Sequence, residues 1–178
     1  MSIRFISMRT SSWSWSRMLR ERRYSSSHWE ARARLEEARR HPMDPLAAGV
    51  WVTDPAFEHV LLVKHRVRGW VPPGSKVEPG EAPRAAAPRE LLEETGLRSE
   101  LLPEPAAVAV RSYRADWSPT LGLSYAAVAE RDVPLAGEQN QPAAWFRLVG
   151  DWDSVFPEDR ERIRAPSGSR PDGRLPLR

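Results

Sequence analysis

Three carboxylates crowd a short span near the middle of the chain: Glu90, Glu93 and Glu94, with Glu81 upstream and the guanidinium of Arg89 beside them. At about 100° per residue the three later acids fall within roughly 100° of arc on a helix, so they share one face. Like charges at that spacing cost a helix about 0.2–0.5 kcal/mol per pair, and a cation is the natural counterweight. Clustered oxygen donors suit a hard ion such as Mg2+ or Mn2+, and Mg2+ commonly bridges carboxylates to phosphates. The chemistry that fits is metal-assisted displacement at phosphorus, with charge on the phosphoryl oxygens neutralised and a water activated. The plain alternative is a solvated helix face. The chain has no cysteine, which excludes disulfides and thiolate metal sites. Its four histidines, His28, His41, His59 and His65, lack paired metal-ligand spacing and read as surface or strand-end residues.

The acids need a helix to hold them, and the local sequence supplies one. Pro83 suits a first helical turn, where a missing N–H costs nothing, and Gly96 is placed to end the helix after Thr95. Upstream, Pro72-Pro73-Gly74-Ser75 and Glu78-Pro79-Gly80 read as turns. Strands are expected over 46–53, 59–67, 106–114, 121–130 and 143–149, with Asp54-Pro55 turning between the first two and a loop containing Trp117-Ser118-Pro119 before the fourth. A short helix with Glu/Arg pairs is expected over 157–165. Strands on both sides of one acidic helix imply an α/β fold, a mixed sheet covered by helices.

The spacing Glu81, seven residues, then Arg89-Glu90-Leu91-Leu92-Glu93-Glu94-Thr95-Gly96-Leu97 resembles the Nudix box, G-x5-E-x7-R-E-U-x-E-E-x-G-U, where U is a bulky apolar residue. Only the opening glycine departs, being Ser75. Trp70, Pro73-Gly74 and Val77-Glu78-Pro79-Gly80 also look like the family. The resemblance covers about residues 46–165 and implies a Nudix-type α/β/α sandwich and a hydrolase of nucleoside diphosphates linked to another moiety. It implies Mg2+ or Mn2+ held by Glu90, Glu93 and Glu94, with the Gly74 carbonyl as a further ligand. Arg89 and Glu81 would form the supporting ion pair, and Glu90 is the candidate general base. A later acid often completes the metal site in relatives, and Glu138 is the candidate, close to a Gln141-Pro142 pair also seen in MutT-like members. The default substrate by resemblance is a nucleoside triphosphate or an oxidised nucleotide.

Three departures bear on activity. Ser75 replaces a glycine, at a cost of about 1–2 kcal/mol should the position need positive φ. Ala82 stands where a Ser or Thr would cap the helix, a loss of about 1 kcal/mol. Pro88 falls inside the helix, where it removes a hydrogen bond to the Arg84 carbonyl and can kink the axis. A non-catalytic Nudix-fold module that binds a nucleotide or nucleotide-sugar is therefore the second reading.

Substrate contacts are read more loosely. Arg66 and Arg68 precede the box, and a guanidinium suits phosphate bidentately; solvated strand-end charge is the equal alternative. Tyr113, Trp117, Tyr125, Gln141 and Trp145 are the groups that could face a nucleobase, or else pack in core and loops.

The sequence pI of about 9.8 invites a polynucleotide reading, but the basicity lies at the ends. Residues 1–45 carry a net charge of +5 and residues 158–178 of +2, while residues 46–157 carry −4. Nucleic-acid binding is thus not expected of the central domain. Residues 1–26 are expected to form a disordered basic arm, 27–45 a helix and linker that packs on the domain or a second subunit in a homodimer, and 166–178 a disordered tail. No apolar run approaches the ~18 residues of a membrane span and no secretory core is present, so a cytoplasmic protein is expected.

Overall fold

The computed structural model describes residues 45–112, 119–138 and 140–164. The expected N-terminal arm, the helix over 27–40 and the tail over 166–178 lie outside the described residues, as do Tyr113 and Trp117.

Seven strands form one mixed sheet: β1 (Ala47–Thr53), β2 (His59–His65), β3 (Gly69–Val71), β4 (Gly74–Lys76), β5 (Ala107–Arg111), β6 (Thr120–Val128) and β7 (Ala143–Arg147). Among the described residues two helices cover it, α1 (Pro83–Thr95) and α2 (Pro157–Arg164). β1 is central. It runs parallel to β6 along its whole length and antiparallel to β4 over Ala47–Gly49, and meets β2 antiparallel where Thr53 pairs Val60. β2 carries β3 and β7, both antiparallel, and β5 closes the far side against β6.

Alternation along the strands sends side chains to two cores. Val50 and Val52, Leu61, Tyr125 and Ala127 pack with Ala86, Ala87 and Leu91 of α1. Their neighbours Trp51, Val60, Leu62 and Ala126 turn the other way and pack with Leu148 and Trp152 after β7 and with Ile163 of α2. A sheet buried on both faces reads in sequence as continuous apolar runs, which is why β1, β2 and β6 stand out as strands without strict alternation. Tyr125 belongs to this core, only 5% exposed.

The strand expected over 59–67 stops at His65, because the chain turns at Arg66, Val67 and Arg68 and returns as β3. His65 itself holds that turn, its Nδ1 accepting the amides of Val67 and Arg68, each at 3.1 Å. The run Pro72-Pro73-Gly74-Ser75, read as a turn alone, also delivers β4. A strand of three residues is too short to show periodicity, and β4 exists because Gly74 lies against β1. A Cβ at Gly74 would meet the Ala48 carbonyl oxygen and the Gly49 Cα at 2.5 Å each, and Gly74 has a φ of 151°. Ser75 has no positive φ, so the strain expected there falls instead on its glycine neighbour.

Helix α1 spans the expected residues. Pro83 opens it, and Gly96, at φ 73°, closes it by donating its N–H to the Leu92 carbonyl. It runs unbroken through Pro88. Ala82 sits in the extended conformation of an N-cap but has no side-chain cap. Arg84 fastens this end of the helix instead, donating to the carbonyls of Leu101, Leu102 and Pro103.

Candidate active site

The acids of α1 do not share one environment. Glu90 and Glu94, one turn apart, are buried, each only 8% exposed, while the Glu93 side chain is half exposed. Glu94 points at the Gly74 turn and accepts the Gly74 amide on Oε2 at 2.7 Å. Burial pushes the Glu94 carboxyl up to about 7; the Gly74 amide opposes this, Glu90 and Glu138 add to it, and Arg68 counters it. Burial likewise raises Glu90, against the pull of Arg89.

Arg89 ties the cluster together. Its Nε and Nη2 donate to the two oxygens of Glu81, at 3.0 and 2.8 Å, a bidentate pair. Its Nη1 donates to Glu90 at 2.7 Å and to Glu93 at 3.1 Å. The guanidinium holds Glu81 below its ordinary range, and Glu81, foremost among its partners, raises Arg89 in turn.

The loop before β7 closes over the end of α1. Ala136 donates its amide to the Thr95 carbonyl at 2.9 Å, and Gly137 lies so near the Glu94 carbonyl that a Cβ there would collide with it. This docking brings Glu138 into electrostatic range of Glu94. Gln141 pairs with Glu138, its Nε2 donating to Oε2 at 2.6 Å and its amide to the Glu138 carbonyl at 3.0 Å.

Beside the Gly74 turn opens a groove of about 1320 Å³, more room than an ordinary small-ligand pocket. Arg66, Arg68, Gln141 and Gly74 line it, as do Lys64, His65 and Lys76, and it reaches past Trp51 and Leu123 to Arg111, Phe156 and Asp159. Arg111 is fixed there by a bidentate pair with Asp159, at 2.9 and 2.7 Å, and its guanidinium lies 4.5 Å from the Phe156 ring centroid. The candidate substrate residues Arg66, Arg68 and Gln141 therefore share one groove. Tyr125 stays in the core beneath Arg84, and Trp145 packs half-buried against the α1 side. His65 ends β2, as its strand-end reading expects, but its capping role is not legible in the sequence because capping a turn two residues ahead leaves no motif. Burial, then Arg68 and Arg66, holds its imidazole below the ordinary histidine value of 6.5.

The donor set suits a hard cation. The acids near Glu94 are the oxygen donors Glu90 and Glu138, and positive counterweights reach the buried pair from Arg89 on Glu90 and from Arg68 and the Gly74 amide on Glu94. Among the described residues no three acidic or imidazole side chains close on a common point as they stand, because Glu90 and Glu93 are turned onto Arg89.

An acid-bearing helix packed on a mixed sheet beside a basic groove defines the class, and the comparisons agree. Residues 43–150 match the family described as NUDIX domain, and the chain belongs to that family. Over 45 residues it is 49% identical to a protein of Bacillus subtilis (strain 168) named "Putative 8-oxo-dGTP diphosphatase", a match covering 25% of this chain and 30% of that protein. Among solved structures it is similar to the MutT protein from Methanosarcina mazei Go1, with a TM-score of 0.53 and 20% identity over 66% of this chain and 88% of that one. It is also similar to the E. coli dihydroneopterin triphosphate pyrophosphohydrolase, with a TM-score of 0.54 and 15% identity over 68% of this chain and 93% of that one. These structural likenesses speak for the fold, a mixed sheet with two helices.

Proposed function

We propose that the chain is a divalent-metal-dependent hydrolase that cleaves the diphosphate linkage of a nucleoside diphosphate derivative. A nucleoside triphosphate or an oxidised nucleotide is the default substrate, giving the nucleoside monophosphate and pyrophosphate. The observation that carries this reading is the buried pair Glu90 and Glu94, of which Glu94 is bonded to the Gly74 turn at the edge of a groove lined by Arg66 and Arg68. The B. subtilis relative's name points to the same substrate class.

Glu90, Glu93 and Glu94, with the Gly74 carbonyl and Glu138, would hold Mg2+ or Mn2+. Bound there, the ion would supply Lewis-acid stabilisation of phosphoryl charge and a water of lowered pKa. The protein's own groups do the rest. Arg66 and Arg68 bind the phosphates, Gln141 lines the same groove, and the Glu81–Arg89 pair positions the acids. Glu90 takes the proton as the water oxygen bonds to phosphorus and the bridging P–O bond breaks, the electron pair leaving with the departing phosphate oxygen. The two grounds for a binding-only module have weakened, since Ser75 takes no positive φ and α1 continues through Pro88.

The test is turnover of a panel of nucleoside triphosphates, oxidised nucleotides, nucleotide-sugars and dinucleoside polyphosphates with Mg2+ or Mn2+. Metal-dependent release of a monophosphate product is expected for one class. A panel in which one compound raises the melting temperature and none is cleaved would replace this reading with the binding module.

A further inference from the structure

We propose that His65 is a positioning residue that presents Arg66 and Arg68 to the phosphates of the ligand in the groove, an inference that rests on reading this groove as the phosphate-binding side. The β2–β3 turn consists of Arg66, Val67 and Arg68, and two of its three amides, those of Val67 and Arg68, donate to one atom, His65 Nδ1, at 3.1 Å each. An Nδ1 that accepts two amides carries no proton, so the ring is neutral with its hydrogen on Nε2. The base of the hairpin is fixed independently. Gly69 bridges Ser154, Val155 donates to the Arg68 carbonyl at 3.1 Å, and Trp70 donates to the Asp153 carbonyl at 2.6 Å.

What those contacts leave unset is the tip, where Arg66 is exposed and Val67 is 73% exposed. An exposed apolar side chain contributes nothing to order there, whereas His65 holds the backbone of the tip from which Arg66 and Arg68 extend. Arg66 and Arg68 both line the groove, and Arg68 is near enough to Glu94 to act on its charge. A tip that wanders would lose the preorganised bidentate contact that makes guanidinium effective on phosphate.

His65→Leu removes the acceptor and keeps the bulk, while His65→Asn places an amide oxygen at the same bond count from the backbone as Nδ1 and restores an acceptor. Two readouts are followed by NMR: hydrogen exchange at the Val67 and Arg68 amides, and the Kd for inorganic tripolyphosphate. In His65→Leu both amides should exchange faster and the Kd should rise about tenfold, the equivalent of one charge-assisted contact. His65→Asn should restore both. With a nucleotide that is turned over, the Leu variant should raise KM with little change in kcat. An unchanged tripolyphosphate Kd in His65→Leu, failure of the Asn variant to restore it, or a wild-type protein that does not bind tripolyphosphate would overturn the inference. A protein that cleaves no nucleotide, yet binds tripolyphosphate in this His65-dependent way, would sink the hydrolase reading and leave the role of His65 standing.

Discussion

The Gly74 amide donates to the Glu94 carboxylate at 2.7 Å across twenty positions of chain, joining the short strand β4 to the end of α1. One bond thus locks the turn before the helix to the acid that the helix carries deepest. It also makes Gly74 do two jobs, since its bare Cα lets the chain pass within contact of Ala48 and Gly49 on β1.

Gly74→Ala should therefore be severe. The new Cβ would meet Ala48 and Gly49 backbone at 2.5 Å, and the positive φ adds strain of about 1–3 kcal/mol. Thermal unfolding should show a drop of several degrees, with turnover lost alongside. A variant that melts like the wild type would mean that β4 does not lie on β1 as described.

Ser75→Gly, in contrast, should gain nothing. Ser75 has no positive φ to relieve, and glycine enlarges the unfolded state's freedom by about 0.5–1 kcal/mol. The melting temperature should stay the same or fall slightly, with turnover unchanged. A clear gain in either would return the box's missing glycine to importance.

Ala82→Ser should stabilise the protein by about 0.5–1 kcal/mol. Ala82 already has the extended backbone of an N-cap, at φ −83° and ψ 140°, and no side-chain cap; Pro83 has no N–H and the Ala85 and Ala86 amides donate to the Ala82 carbonyl, so the Arg84 amide is the one for a hydroxyl to accept. Denaturant unfolding at equilibrium measures this directly, and no gain would mean that the hydroxyl does not reach it.

Glu81→Gln should weaken catalysis more than folding. Arg89 loses a bidentate charged partner while keeping Glu90 and Glu93, and groups that orient metal-binding acids are typically worth about 10- to 100-fold in activity or metal affinity. Steady-state kinetics should show that fall with a nearly unchanged melting temperature. Full activity in Glu81→Gln would show that Arg89 needs no anchor.

The Asp54 carboxylate gives a pH signature away from the site. It accepts the Glu58 and His59 amides at 2.8 and 2.9 Å and faces His59 Nδ1 at 3.1 Å. Burial opposes its charge, but those bonds prevail and hold the carboxyl below 3.8. A depressed carboxyl contributes stability that is complete above its unfolded value and lost as pH falls through the folded one. Asp54→Asn should cost about 1–3 kcal/mol at neutral pH, and the gap from wild type should close only as pH drops below 3.8. A gap that stays constant into that range would contradict the assignment.

The sequence made α1 and its ends legible because Pro83, Gly96 and the acid spacing are each local signals. The long strands were equally plain, being apolar runs buried on both faces. β3 and β4 were not, since three residues carry no period and their pairing depends on β2 and β1 lying far away in sequence. The bidentate Glu81–Arg89 pair follows the pattern that the resemblance implied. The separate fates of Glu90, Glu93 and Glu94 did not show, because helical spacing gives direction and only the Gly74 turn and the loop at Gly137 decide what is covered. The capping role of His65, read only as a strand-end residue, did not show for the same reason: its partners are backbone amides, which no side-chain pattern reveals.

The most direct measurement is the rate of monophosphate release from the best substrate of the panel as Mg2+ is titrated, for wild type and Glu94→Gln side by side. Wild type should show saturable dependence on the ion, and Glu94→Gln should fall by about a hundredfold or more, as expected when a ligand is lost from a metal-assisted site. Turnover without added metal after chelation, or a Glu94→Gln variant as active as wild type, would contradict the assignment of this helix as the metal-binding catalytic centre.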